Sequence, residues 1–165
     1  MVFDRFKPTT QMLGRWQPWH AGHTELFKRA LAETGQVCIQ IRTVPQDTDA
    51  SGGRTMTQDD NPFIVTDVEE NIKKELAKEG FTYNEEYVIM IVPNIVDISY
   101  GRGVGYTFTE HDLGKDIHDI SATKIREEMR EEGKLPTTKD IMKYTEGTRM
   151  DDAYYFFDPE KNNVR

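Results

Sequence analysis

Apolar positions along the chain change period several times, and each change marks a predicted element. A short strand is expected to end near Leu13, before the loop "GRWQPW". From Ala21 the spacing becomes helical: Leu26, Phe27, Ala30 and Leu31 share one face, Lys28 and Arg29 lie opposite, and Gly35 supplies the stop. "QVCIQIRTV" (36–44) is β-branched and bounded by Gly35 and Pro45, which reads as a strand. The stretch "PQDTDASGGRTMTQDDNP" is too polar and glycine-rich to pack as an element, and its length suits a functional lid or an ordinary loop. Thr66 with Glu69 fits a capping box opening a helix with Val68, Ile72 and Leu76 on one face, ending at Gly80.

"EYVIMIVPNIVDI" is a continuous apolar run, as in a central strand buried on both faces, with Pro93 ending its ladder. A glycine-rich turn and a short strand at 106–109 follow. Ser121 can cap a helix that Gly133 closes, and "TTKDIMKY" reads as a last short helix. This alternation of strand and helix predicts an α/β fold, a Rossmann-like three-layer sandwich with a mostly parallel central sheet. The whole chain, 1–165, is expected to be a single domain, with its core at about 10–133 and a C-terminal helix and tail at 134–165. Ligands of such sheets sit beyond the carboxyl ends of the strands. That points to the loops after Leu13, Val44 and Val92 and to the start of the Ser121 helix.

Composition narrows the partners. With 29 acidic against 21 basic residues the net charge is −8, which argues against a nucleic-acid partner and suits a local basic pocket for a small anion. Hydrophobic residues at 36% and charged ones at 30% are compatible with a folded domain. The lone Cys38 excludes an intrachain disulfide and reads as core filler. No apolar stretch reaches membrane-spanning length and the first residues lack a signal-peptide pattern, so a cytoplasmic protein with no membrane partner is expected.

Two loops carry chemistry. In "GRWQPWHAGH", Gly14 permits a tight turn, Pro18 stiffens the approach and Gly22 lets a ligand come close to the main chain. The helix that begins near Ala21 directs free N–H groups at the same space, and His20 and His23 add donors for phosphate oxygens. The same histidines could cap the helix without touching a ligand. Zinc would need further ligands, whereas His111 and His118 fall in a distant acidic segment, so no metal residue is assigned. In "DISATKIREEMR", Ser121 and Thr123 place hydroxyls at a helix start, with Lys124 and Arg126 in its first turns. A plain amphipathic helix, Ile125 and Met129 inward, explains that segment equally well taken alone.

Taken together, these stretches resemble the HxGH and ISxTxIR signatures of the cytidylyltransferase-like nucleotidyltransferase superfamily. The form "GRWQP-x-H-x-GH" is most similar to that of archaeal-type nicotinamide-mononucleotide adenylyltransferases, and "DNPF" at 60–63 is similar to a segment of theirs. Trp16 stands where phenylalanine is commoner, and "NPF" continues as "IVTD". The resemblance spans about 13–130. It implies transfer of a nucleoside monophosphate, AMP in preference to CMP, from ATP or CTP to a phosphorylated small molecule, with release of pyrophosphate. His20 and His23 would hold the triphosphate and stabilise charge at the α-phosphate, assisted by Lys28. Gly14, Arg15, Trp16, Gln17 and Gly22 would line the nucleotide. Ser121, Thr123 and Arg126 would bind the leaving pyrophosphate, and Mg2+ would be held mainly by phosphate oxygens and waters.

Asn94, Asp97 and Arg102, around the next strand end, are candidates for acceptor or base recognition, with a plain turn as the alternative. The competing functional classes are a non-catalytic nucleotide-binding regulatory module and a fragment of a class I aminoacyl-tRNA synthetase. Length and acidity disfavour the latter. The "YYFF" run at 154–157 suits either the core or a subunit contact of a homo-oligomer.

Overall fold

The computed structural model describes residues 2–43, 48–51, 54–56 and 61–135, with 48–51, 54–56 and His118 described by backbone alone. β1 (Thr10–Gly14) leads through the histidine loop into α1 (Ala21–Thr34), which ends as expected where Gly35 takes a left-handed φ of 87° and its N–H reaches the Leu31 carbonyl. β2 (Val37–Arg42) alternates buried and half-buried residues. α2 (Val65–Lys78) returns the chain to β5 (Tyr87–Val92), which stops immediately before Pro93.

The three strands form a parallel sheet in the order β1-β2-β5, with Met12 beside Ile39 and Ile39 beside Ile89. Both crossovers step in the same direction, so right-handed connections bring α1 and α2 to one face. The packing agrees: Phe27 and Ala30 of α1 and Val68, Ile72 and Leu76 of α2 share one buried cluster with Val37, Ile39 and Ile41. The α/β, Rossmann-like architecture is therefore present, a parallel sheet flanked by helices. On the opposite face Gln11 and Met90 are exposed, Cys38 and Gln40 are half-buried, and Gln11 Nε2 donates to Gln40 Oε1 at 2.6 Å. Burial pushes the Cys38 thiol pKa up, with Arg5 pulling it weakly back.

Several local expectations are corrected. The polar stretch after β2 contains two short antiparallel strands, β3 (Thr48–Ser51) and β4 (Arg54–Met56), whose backbone pairing needs no apolar side chains. α2 begins one residue before Thr66, with Ile64 at the cap and no side-chain cap bond, so Thr66 lies inside the first turn and the capping box does not form. Among the described residues β5 is an edge strand rather than a central one, and Met90 and Ile91 are exposed. A run of apolar residues does not distinguish an edge from a centre. Residues 106–109 form no strand. A short helix that the pattern did not predict, α3 (Lys115–His118), precedes α4 (Ala122–Glu131). The expected helix at 137–144 and the YYFF run lie outside the described residues.

Candidate functional site

The site grows from the N-terminus of α1, where four backbone N–H groups lack intrahelical partners. His20 occupies the cap in an extended conformation, φ −136° and ψ −179°, and its Nδ1 accepts the Gly22 N–H at 3.0 Å. Three residues on, His23 reciprocates: its Nδ1 accepts the His20 backbone N–H at 3.2 Å. This is a capping box made of two imidazoles, whose rings stack at 3.7 Å and 20°. Gly22 makes that stacking feasible, because a Cβ there would lie 2.8 Å from His20 Cε1.

The capping bonds fix the tautomers. A nitrogen that accepts from a backbone N–H carries no proton, so each neutral ring holds its proton on Nε2 and presents it away from the helix. Protonating Nδ1 would set two N–H groups against each other. Burial adds to this, lowering the His20 pKa and, with the neighbouring His20 charge, pushing His23 down to about 3. The arrangement therefore offers two uncharged Nε2–H groups at a helix start whose His20 and Gly22 N–H groups are already capped.

A wall of indoles holds His23. Trp16 meets it edge-on at 4.8 Å and Trp19 lies at 5.5 Å, the two indoles being 4.9 Å apart. Both are buried, with Trp16 Nε1 donating to the Gln40 carbonyl at 3.0 Å and Trp19 Nε1 to Thr24 Oγ1 at 2.8 Å. Trp16 adopts a left-handed φ of 54°, which folds its ring back over Gly14, where a Cβ would meet the indole at 2.8 Å. The glycine in "GRWQP" is thus required by the tryptophan two residues later.

The second signature comes to the same loop through Arg126. Its side chain is only 2% exposed, and Nη1 donates to the Gln17 carbonyl at 2.7 Å while Nη2 reaches Thr123 Oγ1 at 3.3 Å. Ser121 caps α4, accepting the Lys124 N–H at 3.4 Å. Arg126 thereby ties the first turns of α4 to the loop that leads into α1. Ile117 of α3 comes within 3.5 Å of the position a Gly22 Cβ would take, placing α3 beside the histidines.

The other candidates are distributed as follows. Arg15 Nη1 donates to Asn61 Oδ1 at 3.0 Å, and Gln17 is buried with its side-chain amide on the backbone of Phe63. Lys28 is not brought to the histidines. It lies two turns further along α1, in an exposed pair with Glu79 at 3.0 Å. Asn94 follows β5 with its Oδ1 buried and unpartnered, Asp97 is exposed and accepts from the Ser99 hydroxyl, and Arg102 is exposed. Trp19, Asn61 and Phe63 were not singled out from the sequence as site residues. A tryptophan between a proline and a histidine in a polar loop was the available signal for the first, and the DNPF likeness for the other two.

The chain is similar to the nicotinamide-nucleotide adenylyltransferase of Methanococcus maripaludis. Identity is 26% over 140 residues, covering 73% of this chain and 77% of that relative. No family model matches the chain. The likeness and the parallel sheet together support a nucleotidyltransferase activity in general terms, with nucleotide and phosphorylated-substrate partners. No helix among the described residues is long and apolar enough to cross a membrane.

Proposed function

We propose that the protein is a nucleotidyltransferase that moves AMP from ATP to a phosphorylated small molecule and releases pyrophosphate. The observation that carries this reading is the reciprocal histidine cap at the start of α1, tied through Arg126 and Gln17 to the start of α4. Two Nε2–H donors at the start of α1, with the first turns of α4 tied to the same loop, suit a triphosphate that needs to be held at both ends.

An acceptor phosphate oxygen attacks the α-phosphorus and forms a new P–O bond. The bond from that phosphorus to the α–β bridging oxygen breaks, and its electron pair leaves with pyrophosphate. The chain then has to position the two substrates and stabilise negative charge on the α-phosphate oxygens, without a covalent intermediate. His20 and His23 would donate to those oxygens through Nε2, and Ser121, Thr123 and the α4 N-terminus would serve the leaving group. The donor set consists of N–H and hydroxyl groups, which fit an anion and not a resident metal. Mg2+ would be held by phosphate oxygens and waters, and would supply charge neutralisation on the triphosphate.

The name of the relative makes a nicotinamide mononucleotide the first acceptor to assay. The test is pyrophosphate release from ATP or CTP with Mg2+ and a panel of phosphorylated metabolites. ATP is expected to be used in preference to CTP. Preference for CTP would convert the reading to a cytidylyltransferase, and release with no pair would favour a non-catalytic nucleotide-binding module.

A further inference from the structure

We propose that Gln17 is a positioning residue that sets the acceptor side of the site, by locking segment 61–63 to the triphosphate grip. This inference rests on the nucleotidyltransferase reading. Gln17 is 7% exposed, and both polar atoms of its side chain are committed to one residue: Nε2 donates to the Phe63 carbonyl and Oε1 accepts the Phe63 N–H, each at 2.9 Å. Its own backbone carbonyl accepts Arg126 Nη1 at 2.7 Å. Two residues earlier, Arg15 Nη1 donates to Asn61 Oδ1, so positions 15 and 17 engage positions 61 and 63 with the same spacing of two. Asn61 and Phe63 are themselves buried, at 4% and 8% exposure.

In-line displacement requires the attacking group to enter opposite the leaving group. On the proposed reading α4 serves the leaving-group side, so the acceptor would enter from the other side, and segment 61–63, which Gln17 holds and which leads into α2, would form its wall. Gln17 sits between the two, with its main chain serving one side and its side chain the other. Replacing the side chain therefore loosens the acceptor wall and keeps the main-chain carbonyl that Arg126 uses.

The test uses the full chain carrying Gln17→Met, close in size and unable to hydrogen-bond, and Gln17→Glu, which can still accept the Phe63 N–H. In steady-state kinetics Gln17→Met is expected to raise KM for the acceptor about tenfold and leave KM for ATP within about twofold, because misplacement costs binding only on the side that moved. Gln17→Glu, whose carboxylate would face the Phe63 carbonyl in a buried place, should raise the acceptor KM at least as much. A merely structural role would reduce the active fraction and lower kcat with both KM values unchanged, and that result would overturn the proposal. A second arm needs no turnover: amide hydrogen exchange should show Phe63 protected in the parent protein and fast in Gln17→Met, with α4 amides unaffected. Unchanged protection at Phe63 would overturn the clamp itself. Absence of turnover in the parent protein would overturn the activity reading, and the acceptor role with it.

Discussion

Gly22→Ala separates the function of the histidine cap from its contribution to stability. The added methyl would sit 2.8 Å from His20 Cε1 and 3.0 Å from Nδ1, closer than a carbon can remain. The backbone at Gly22 is helical, so alanine brings no strain there, and the imidazole is the part that moves. When it swings away, the 3.0 Å bond from the Gly22 N–H and the 3.7 Å stack on His23 are both lost. Losing a side-chain cap costs about 1 kcal/mol. Alanine in place of glycine within a helix returns a similar amount, up to about 1 kcal/mol. Net stability should change little, whereas a displaced donor at a site of developing charge costs about 10²- to 10³-fold in kcat.

Pyrophosphate release and thermal unfolding, measured on the same preparation, read the two quantities. The expected outcome is a melting temperature near that of the parent protein with kcat down at least about a hundredfold. If kcat stayed within about threefold at unchanged melting temperature, the position of the His20 ring would have no bearing on turnover, and the reasoning from its cap geometry would be refuted. A fall in melting temperature beyond about 10 °C, several kcal/mol for a chain of this length, would show that the methyl displaced the helix and not the ring.

Three further outcomes follow from the same geometry. His20→Ala should retain the fold, losing about 1 kcal/mol in a denaturant titration through the missing cap, with kcat reduced about 10²- to 10³-fold. Arg126→Met should lower stability by about 1–3 kcal/mol, because the Gln17 carbonyl loses its 2.7 Å donor in a buried place. A midpoint unchanged from the parent would show that the carbonyl finds water. Stability should also fall with acidification. His23 binds a proton at about 3 when folded and near its ordinary 6.5 when unfolded. The unfolded chain therefore takes up protons first as pH drops below 6.5, and about 1.4 kcal/mol is lost per pH unit from there down to about 3. His23→Phe, titrated alongside, should flatten that slope.

Much of the frame could be read from the pattern of residues, because glycine stops, β-branched runs and amphipathic faces are local properties. Gly35, Gly80 and Gly133 each follow a helix end and each takes a positive φ. The edge position of β5 was not legible, since a strand's neighbours depend on residues far away in the chain. In the candidate site, the two signatures pointed to the starts of α1 and α4, which Arg126 and the Gln17 carbonyl tie together. They did not indicate that Trp16 and Trp19 form the wall behind His23, which depends on a left-handed turn at Trp16 and on the Gln40 carbonyl of the next strand, 24 residues away. Segment 61–63 was hidden for a similar reason: its partners, Arg15 and Gln17, lie 46 residues earlier.

The electrostatics of the site explain why its donors are built from geometry. The chain carries a net charge of −8, and both histidines are held neutral in the ligand-free protein. The imidazoles would therefore contribute little long-range attraction to a triphosphate, and their part of its affinity would come from short hydrogen bonds once the ligand is in place. A bound phosphate near the Nε2 atoms would by itself favour imidazolium. The second proton would have to go on Nδ1, however, where each ring already accepts a backbone N–H, and taking it there would undo the cap that aims the ring. Under the proposed reaction the histidines would strengthen their bonds as charge develops on the α-phosphate without leaving their positions, which is the property that preorganised stabilisation requires.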